Sequence, residues 1–196
     1  MNLSGAELKD LLVAWLALGL AFAFFFERVT PMGIGDFLLS PAFVSAMVLN
    51  LLTVGVGFLL HELAHKVVAV RFGQYARFKA DYKMLLFAIA GGLAGLVFAA
   101  PGAVYHRGRL TDRQHGLIAL AGPVTNLGLA ALFVPVILIA PLLGSRGVTI
   151  NLFLAAFNLL PIGALDGATV KDWSVPVYVA TFVPSVLLTV WVLFGL

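Results

Sequence analysis

An all-α polytopic membrane protein is the fold class this sequence predicts, and three observations predict it. Hydrophobic residues make up 62% of the 196 and charged ones only 11%, with a mean hydropathy of +1.07; water-soluble domains of this size do not show that balance. The apolar residues fall in runs long enough to cross a hydrocarbon core of about 30 Å. The polar stretches between the runs are short and leave little room for a separate water-soluble domain.

The runs lie at about 8–27, 42–70, 84–101, 114–142, 149–168 and 175–196, which predicts five to six transmembrane helices. Two acids and one lysine precede the uncharged apolar stretch Leu11–Phe26 of the first run, and its exit reads Phe24-Phe25-Phe26-Glu27-Arg28. A cleaved signal peptide needs a basic start and a small-residue exit, so this is a retained helix. Pro31, Gly33 and Gly35 punctuate the first loop, and Pro41 opens the second helix. At 1.5 Å per residue, its roughly 30 residues reach about 45 Å, enough to span and protrude. Gly73 is its predicted C-cap. The stretch 74–83, QYARFKADYK, is basic and aromatic and reads as a short β-ribbon.

Segment 84–101 is short for a span and stops at Pro101. If it dips in and returns, ten of the twelve basic residues share one side, with only Arg28 and Arg146 opposite; if it crosses, the split is 7 to 5. The positive-inside rule therefore predicts a re-entrant hairpin after the second helix, with the N-terminus cytoplasmic and the C-terminus outside. Irregular backbone at that depth must be buried in protein or face water. The net charge of +3 reports topology in the cytoplasmic membrane and implies the lipid bilayer, not nucleic acid, as partner.

The chain contains no cysteine, which excludes disulfides and thiolate metal sites, so any metal must use His, Asp or Glu. His61-Glu62-Leu63-Ala64-His65 lies inside the apolar run FVSAMVLNLLTVGVGFLLHELAHKVVAV. On a helix, positions i and i+4 share a face, so His61 and His65 can bind one zinc ion while Glu62 reaches a water on it. Ionisable groups at membrane depth are costly and mark function, which sets this match apart from a chance one. Asn50, Thr53, Gly57, His61 and His65 recur every three or four residues, a polar-and-small stripe turned toward the bundle interior.

Two histidines leave a catalytic zinc one protein ligand short. Of the nine acidic residues, only Glu62 and Asp166 lie within apolar runs away from their ends. Under the re-entrant topology Asp166 shares the inner depth of the histidines; under the crossing topology it lies on the opposite side. The plainer alternative for Asp166 is a helix-end carboxylate in a turn with Gly167.

His61–His65 in a membrane helix, GPVTN over Gly122–Asn126 and NLLPIGALDG over Asn158–Gly167 together resemble the site-2 protease family of intramembrane zinc metalloproteases, which carry out regulated intramembrane proteolysis. The resemblance covers about 42–72 and 114–168. It implies one membrane-embedded protease domain over 1–196, with core helices at about 42–72, 114–142 and 149–168 and flanking helices at 8–27 and 175–196. It also implies one zinc per chain held by His61, His65 and Asp166, with Glu62 as general base and acid. The substrate implied is a protein with a transmembrane helix, cut near an active-site opening on the cytoplasmic side. Gly163-Ala164 departs from the family, where a second proline often precedes the Leu-Asp-Gly. The PDZ and CBS domains that relatives often carry have no room here.

Asn158 and then Asn126 are the candidates to help hold a tetrahedral oxyanion, against the plainer reading of each as a helix-packing hydrogen bonder. A transmembrane helix must unwind before attack, and the 74–83 ribbon or the 84–101 hairpin offers an edge on which an extended peptide could dock. His106 and His115 lie in or beside a basic loop and read as surface residues. Two alternatives compete. Membrane zinc hydrolases of prenylated peptides more often complete HExxH with a downstream Glu, and no Glu follows Glu62. A metal-binding transporter or channel needs polar residues lining a path through both leaflets, whereas here they cluster toward one side.

Overall fold

The computed structural model describes residues 3–96 and 102–195, and for 106 and 107 the backbone alone. The chain is mostly helical. In order it forms α1 (Gly5–Phe26), α2 (Ile34–Leu38), α3 (Pro41–Asn50), a π turn (Leu51–Gly55), α4 (Val56–Arg71), β1 (Tyr75–Ala80), α5 (Tyr82–Leu93), β2 (Gly102–Arg107), α6 (Asp112–Phe133), α7 (Pro141–Asn158), α8 (Asp166–Trp173) and α9 (Val175–Phe194). Among the described residues four helices are long and apolar enough to cross a membrane: Gly5–Phe26, Pro41–Arg71, Asp112–Leu138 and Val175–Phe194. Five to six were expected. The two that fall short are α5, only 12 residues, and α7, whose Arg146, Asn151 and Asn158 dilute its apolar character.

The chain packs as two compact units, Asn2–Leu59 with Phe78–Tyr105, and Leu60–Arg77 with His106–Leu196. In the first, α1 packs on α5, α3 and the π turn, burying Leu11, Ala14, Leu18 and Phe22. The π turn inserts one residue into an otherwise continuous helix, which advances the face by about 100° and frees a carbonyl from its usual partner. The indole Nε1 of Trp15 donates to Leu51 O at 3.0 Å. The predicted stripe is buried throughout: Asn50, Thr53, Gly57, His61 and His65 all lie inside.

β1 and β2 are neighbours in one two-stranded sheet. The ribbon expected at 74–83 is thus a strand, and the chain that leaves it at Ala80 returns to it at Gly102. Between the two strands the described chain forms α5; residues 97–101 of the predicted re-entrant hairpin lie outside the described ones. Two successive donors on one edge of β1 go to α1: Phe78 N donates to Glu7 Oε1 at 3.1 Å and Ala80 N to Asp10 Oδ2 at 3.4 Å. Tyr82 adds its hydroxyl to Asp10 Oδ1 at 2.7 Å. Both carboxylates are buried. The edge of β1 that carries Phe78 and Ala80 is therefore covered from within the chain.

In the second unit, α6 packs on α7 and α8, and α9 packs on α7 and α8. Ala119, Val170 and Tyr178 form one apolar cluster, and Ala130, Val148 and Leu152 another. The run read as one segment over 149–168 is not one helix. The helix α7 ends at Asn158, seven irregular residues follow, and Asp166 opens α8. Pro161 cannot continue the helix, and Gly163 turns the chain with φ +58.

Candidate metal centre

The HExxH helix carries His61 and His65 one turn apart, so their rings meet edge to face with centroids 4.6 Å apart. Asp166 reaches the same point from the first position of α8, where the partial positive charge of a helix N-terminus favours a carboxylate. The chain runs so close there that a Cβ on Gly167 would strike the carbonyls of Leu159 and Leu160. That close approach is what brings Asp166 back beside the end of α7.

His61 Nε2 lies 3.2 Å and His65 Nε2 3.3 Å from Asp166 Oδ2, and the two Nε2 atoms are 2.9 Å apart. The other nitrogens are engaged: His61 Nδ1 meets Asn126 Oδ1 at 2.6 Å and His65 Nδ1 meets the Ile118 carbonyl at 2.7 Å. Both acceptors lack a proton to give, so each Nδ1 carries the hydrogen and each Nε2 presents a lone pair. Two lone pairs and a carboxylate oxygen facing one another repel unless a cation lies among them. Asp166 Oδ2, buried, makes no hydrogen bond, and neither does Glu62 Oε2.

These residues fit a zinc ion. Ligand atoms about 2.0–2.1 Å from a tetrahedral metal stand about 3.3 Å from one another, close to the observed spacings. Among the described residues, His61, His65 and Asp166 are the group whose ligand atoms converge in this way. Imidazole nitrogen and carboxylate oxygen are zinc donors. The opposite wall is Gly122 of the GPVTN segment, where a Cβ would come within 2.5 Å of both Nε2 atoms.

The supporting asparagines take distinct places. Asn126 touches His61 directly and in turn donates its Nδ2 to Asn151 Oδ1 at 2.9 Å. Asn158 donates to Leu154 O in its own helix at 2.9 Å. Asn151 was not singled out in the sequence. It is fully buried, and its signal was an Asn seven residues before Asn158, on the same face of an apolar helix. His115 is exposed on α6, as expected of a surface residue; the side chain of His106 lies outside the described ones.

The chain is 34% identical over 200 aligned positions to "Putative zinc metalloprotease MJ0611" of Methanocaldococcus jannaschii, covering 97% of this chain and 96% of that protein. It is 32% identical over 157 positions to "Putative zinc metalloprotease YwhC" of Bacillus subtilis, covering 68% of this chain and 72% of the relative. No family model and no solved structure matches the chain. With that identity along nearly its whole length, the chain belongs to the zinc metalloprotease family of these two proteins.

Proposed function

We propose that this member of the zinc metalloprotease family is an intramembrane endopeptidase of the site-2 protease type, cutting peptide bonds in or near the transmembrane helices of membrane proteins. One observation carries the reading: His61, His65 and Asp166 converge around a helix long and apolar enough to span a bilayer, with Glu62 adjacent. His61, His65 and Asp166 would hold one zinc per chain, which would supply Lewis acidity and lower the pKa of a water bound to it toward about 7. Glu62, buried with Oε2 free of hydrogen bonds, accepts the proton of the attacking water and passes it to the leaving amine. Asn158, whose Nδ2 now donates to Leu154 O, is the proposed donor to a developing oxyanion.

The distribution of basic residues supports a cytoplasmic membrane location, with the N-terminus and the site's opening on the cytoplasmic side. Because Phe78 and Ala80 already donate to α1, an extended substrate would pair with the sheet elsewhere, or only after α1 releases β1.

The test joins metal content to cleavage. Detergent-purified protein should hold about one zinc by mass spectrometry, sharply reduced in Asp166→Ala and His65→Ala. Reconstituted protein should cut single-span reporter proteins, and Glu62→Gln should keep its zinc and lose cleavage. Zinc uptake into vesicles unaffected by Glu62→Gln, with no cleavage of any reporter, would replace this reading with a transporter.

A further inference from the structure

We propose that the outward face of the two-stranded ribbon, with the basic turns at its ends, is a docking surface for the anionic phospholipid headgroups of the surrounding bilayer.

Chain connectivity gives the ribbon its position. β1 starts at Tyr75, four residues beyond the apolar helix Pro41–Arg71, and β2 ends at Arg107, five residues before the apolar helix Asp112–Leu138. Tethers that short hold the ribbon beside the ends of two helices able to cross a membrane. The first turn of a third, α1, holds β1 as well, through Glu7 and Asp10. A ribbon tied in this way lies at the polar boundary of a bilayer rather than out in the water.

Strand alternation decides which side chains face outward. Ala76, Phe78 and Ala80 are buried. Tyr75, Arg77 and Lys79 share the opposite face; Tyr75 is 69% exposed, Lys79 is exposed and Arg77 half-buried. On β2, Tyr105 is 64% exposed. Tyrosine is suited to headgroup depth, with an apolar ring and a hydroxyl that reaches water. Arg71, Lys83, Arg109 and Arg113 are exposed at the ends of the ribbon. Gln74 joins two of the turns, its Nε2 donating to Arg109 O at 3.4 Å.

The charge on this surface is not neutralised from within. Residues 71–113 contain seven basic side chains and two acidic ones, Asp81 and Asp112. Asp81 is taken up in capping α5, where it accepts from Lys83 N and Met84 N. Among the described residues, none of Arg71, Arg77, Lys79, Lys83, Arg109 and Arg113 forms an ion pair with a carboxylate. The positive-inside rule explains which side of a membrane such residues take; it does not set Arg77 and Lys79 on one strand face with Tyr75. Phosphodiester oxygens accept from ammonium and guanidinium groups. Each basic side chain at an anionic leaflet strengthens the attraction about fivefold. An acidic protein segment offers similar charge, but the exposed tyrosines and the tethers to span ends favour lipid.

The experiment titrates detergent-purified protein with phosphatidylglycerol or phosphatidylcholine and counts bound lipids by native mass spectrometry. Wild type should bind phosphatidylglycerol more tightly than phosphatidylcholine. Arg77→Gln/Lys79→Gln/Lys83→Gln should lower phosphatidylglycerol affinity about fivefold or more and leave that for phosphatidylcholine unchanged. Arg28→Gln/Arg146→Gln, which removes two charges elsewhere, should stay within about twofold of wild type. Lys79→Gln alone, at an exposed side chain, carries the measurement if the triple variant does not fold. A triple variant that keeps the phosphatidylglycerol preference overturns the proposal, as does a wild type with no preference. An equal loss in Arg28→Gln/Arg146→Gln overturns it too, because the effect then follows net charge rather than this face. A triple variant with unchanged lipid binding but weaker capture of a reporter protein bearing an acidic juxtamembrane segment assigns the face to protein instead.

Discussion

Gly122 stands against His61 with no room for a methyl group: a Cβ there would lie 2.5 Å from the Nε2 of His61 and as close to that of His65. The space a side chain would fill is the space the two lone pairs face. Gly122→Ala should therefore reduce bound zinc at least tenfold while leaving the helical content intact. Mass-spectrometric metal content and circular dichroism on the same sample check this. Full zinc occupancy in the variant would mean that the ion sits elsewhere.

Trp15 and Leu51 make a second dependence visible. The indole donates to Leu51 O, which also accepts from Val56 N at the end of the π turn, so the bond ties α1 to the π turn with the strength of an inter-helix hydrogen bond at membrane depth. Trp15→Phe removes the donor with little change of shape. It should destabilise the protein by about 1 kcal/mol, read as a shifted midpoint in denaturing-detergent titrations.

The carboxylates of Glu7 and Asp10 act as strand partners for β1, taking the amides of Phe78 and Ala80. Replacing both by alanine leaves two donors on one edge without acceptors. Hydrogen exchange at those two amides should speed up at least tenfold, while amides within α6 and α7 are unaffected. Unchanged exchange would show that the strand is held by β2 alone.

How legible these features were in the sequence depended on whether they are local. His61 and His65 needed only the helical period, which places i and i+4 together in any fold. Asp166 was legible by elimination, because few acids lie inside the apolar runs. Its route to the site was not legible, since the sequence read 149–168 as one span and the break after Asn158 depends on Pro161 and Gly163 acting together. The burial of the first turn of α1 was not legible for a related reason. Glu7 and Asp10 sit at the end of an apolar run, where carboxylates normally face water, and only the return of β1 some seventy residues later buries them. Asn151 shows the same limit. A lone Asn in an apolar helix reads as packing until Asn126 is seen opposite it.

The loop that delivers Asp166 contains two glycines with opposite consequences. Gly163 has φ +58, a conformation that disfavours a side chain, but nothing lies within 4 Å of where its Cβ would be. Gly163→Ala should therefore cost about 1 kcal/mol of stability and keep its zinc. At Gly167 the backbone is helical, yet a Cβ would collide with the carbonyls of Leu159 and Leu160. Those carbonyls lie just past α7 on residues whose amides are bonded back to Ala155 O and Phe157 O, so we expect α8 to shift instead, and Asp166 with it. Because a metal ligand is placed to within a few tenths of an ångström, Gly167→Ala should lose zinc as fully as Asp166→Ala, though it removes no ligand. Measured side by side, stability should fall in the first variant and zinc in the second. A Gly167→Ala protein with normal zinc would mean that Asp166 reaches the histidines without needing the close approach of α8 to the end of α7.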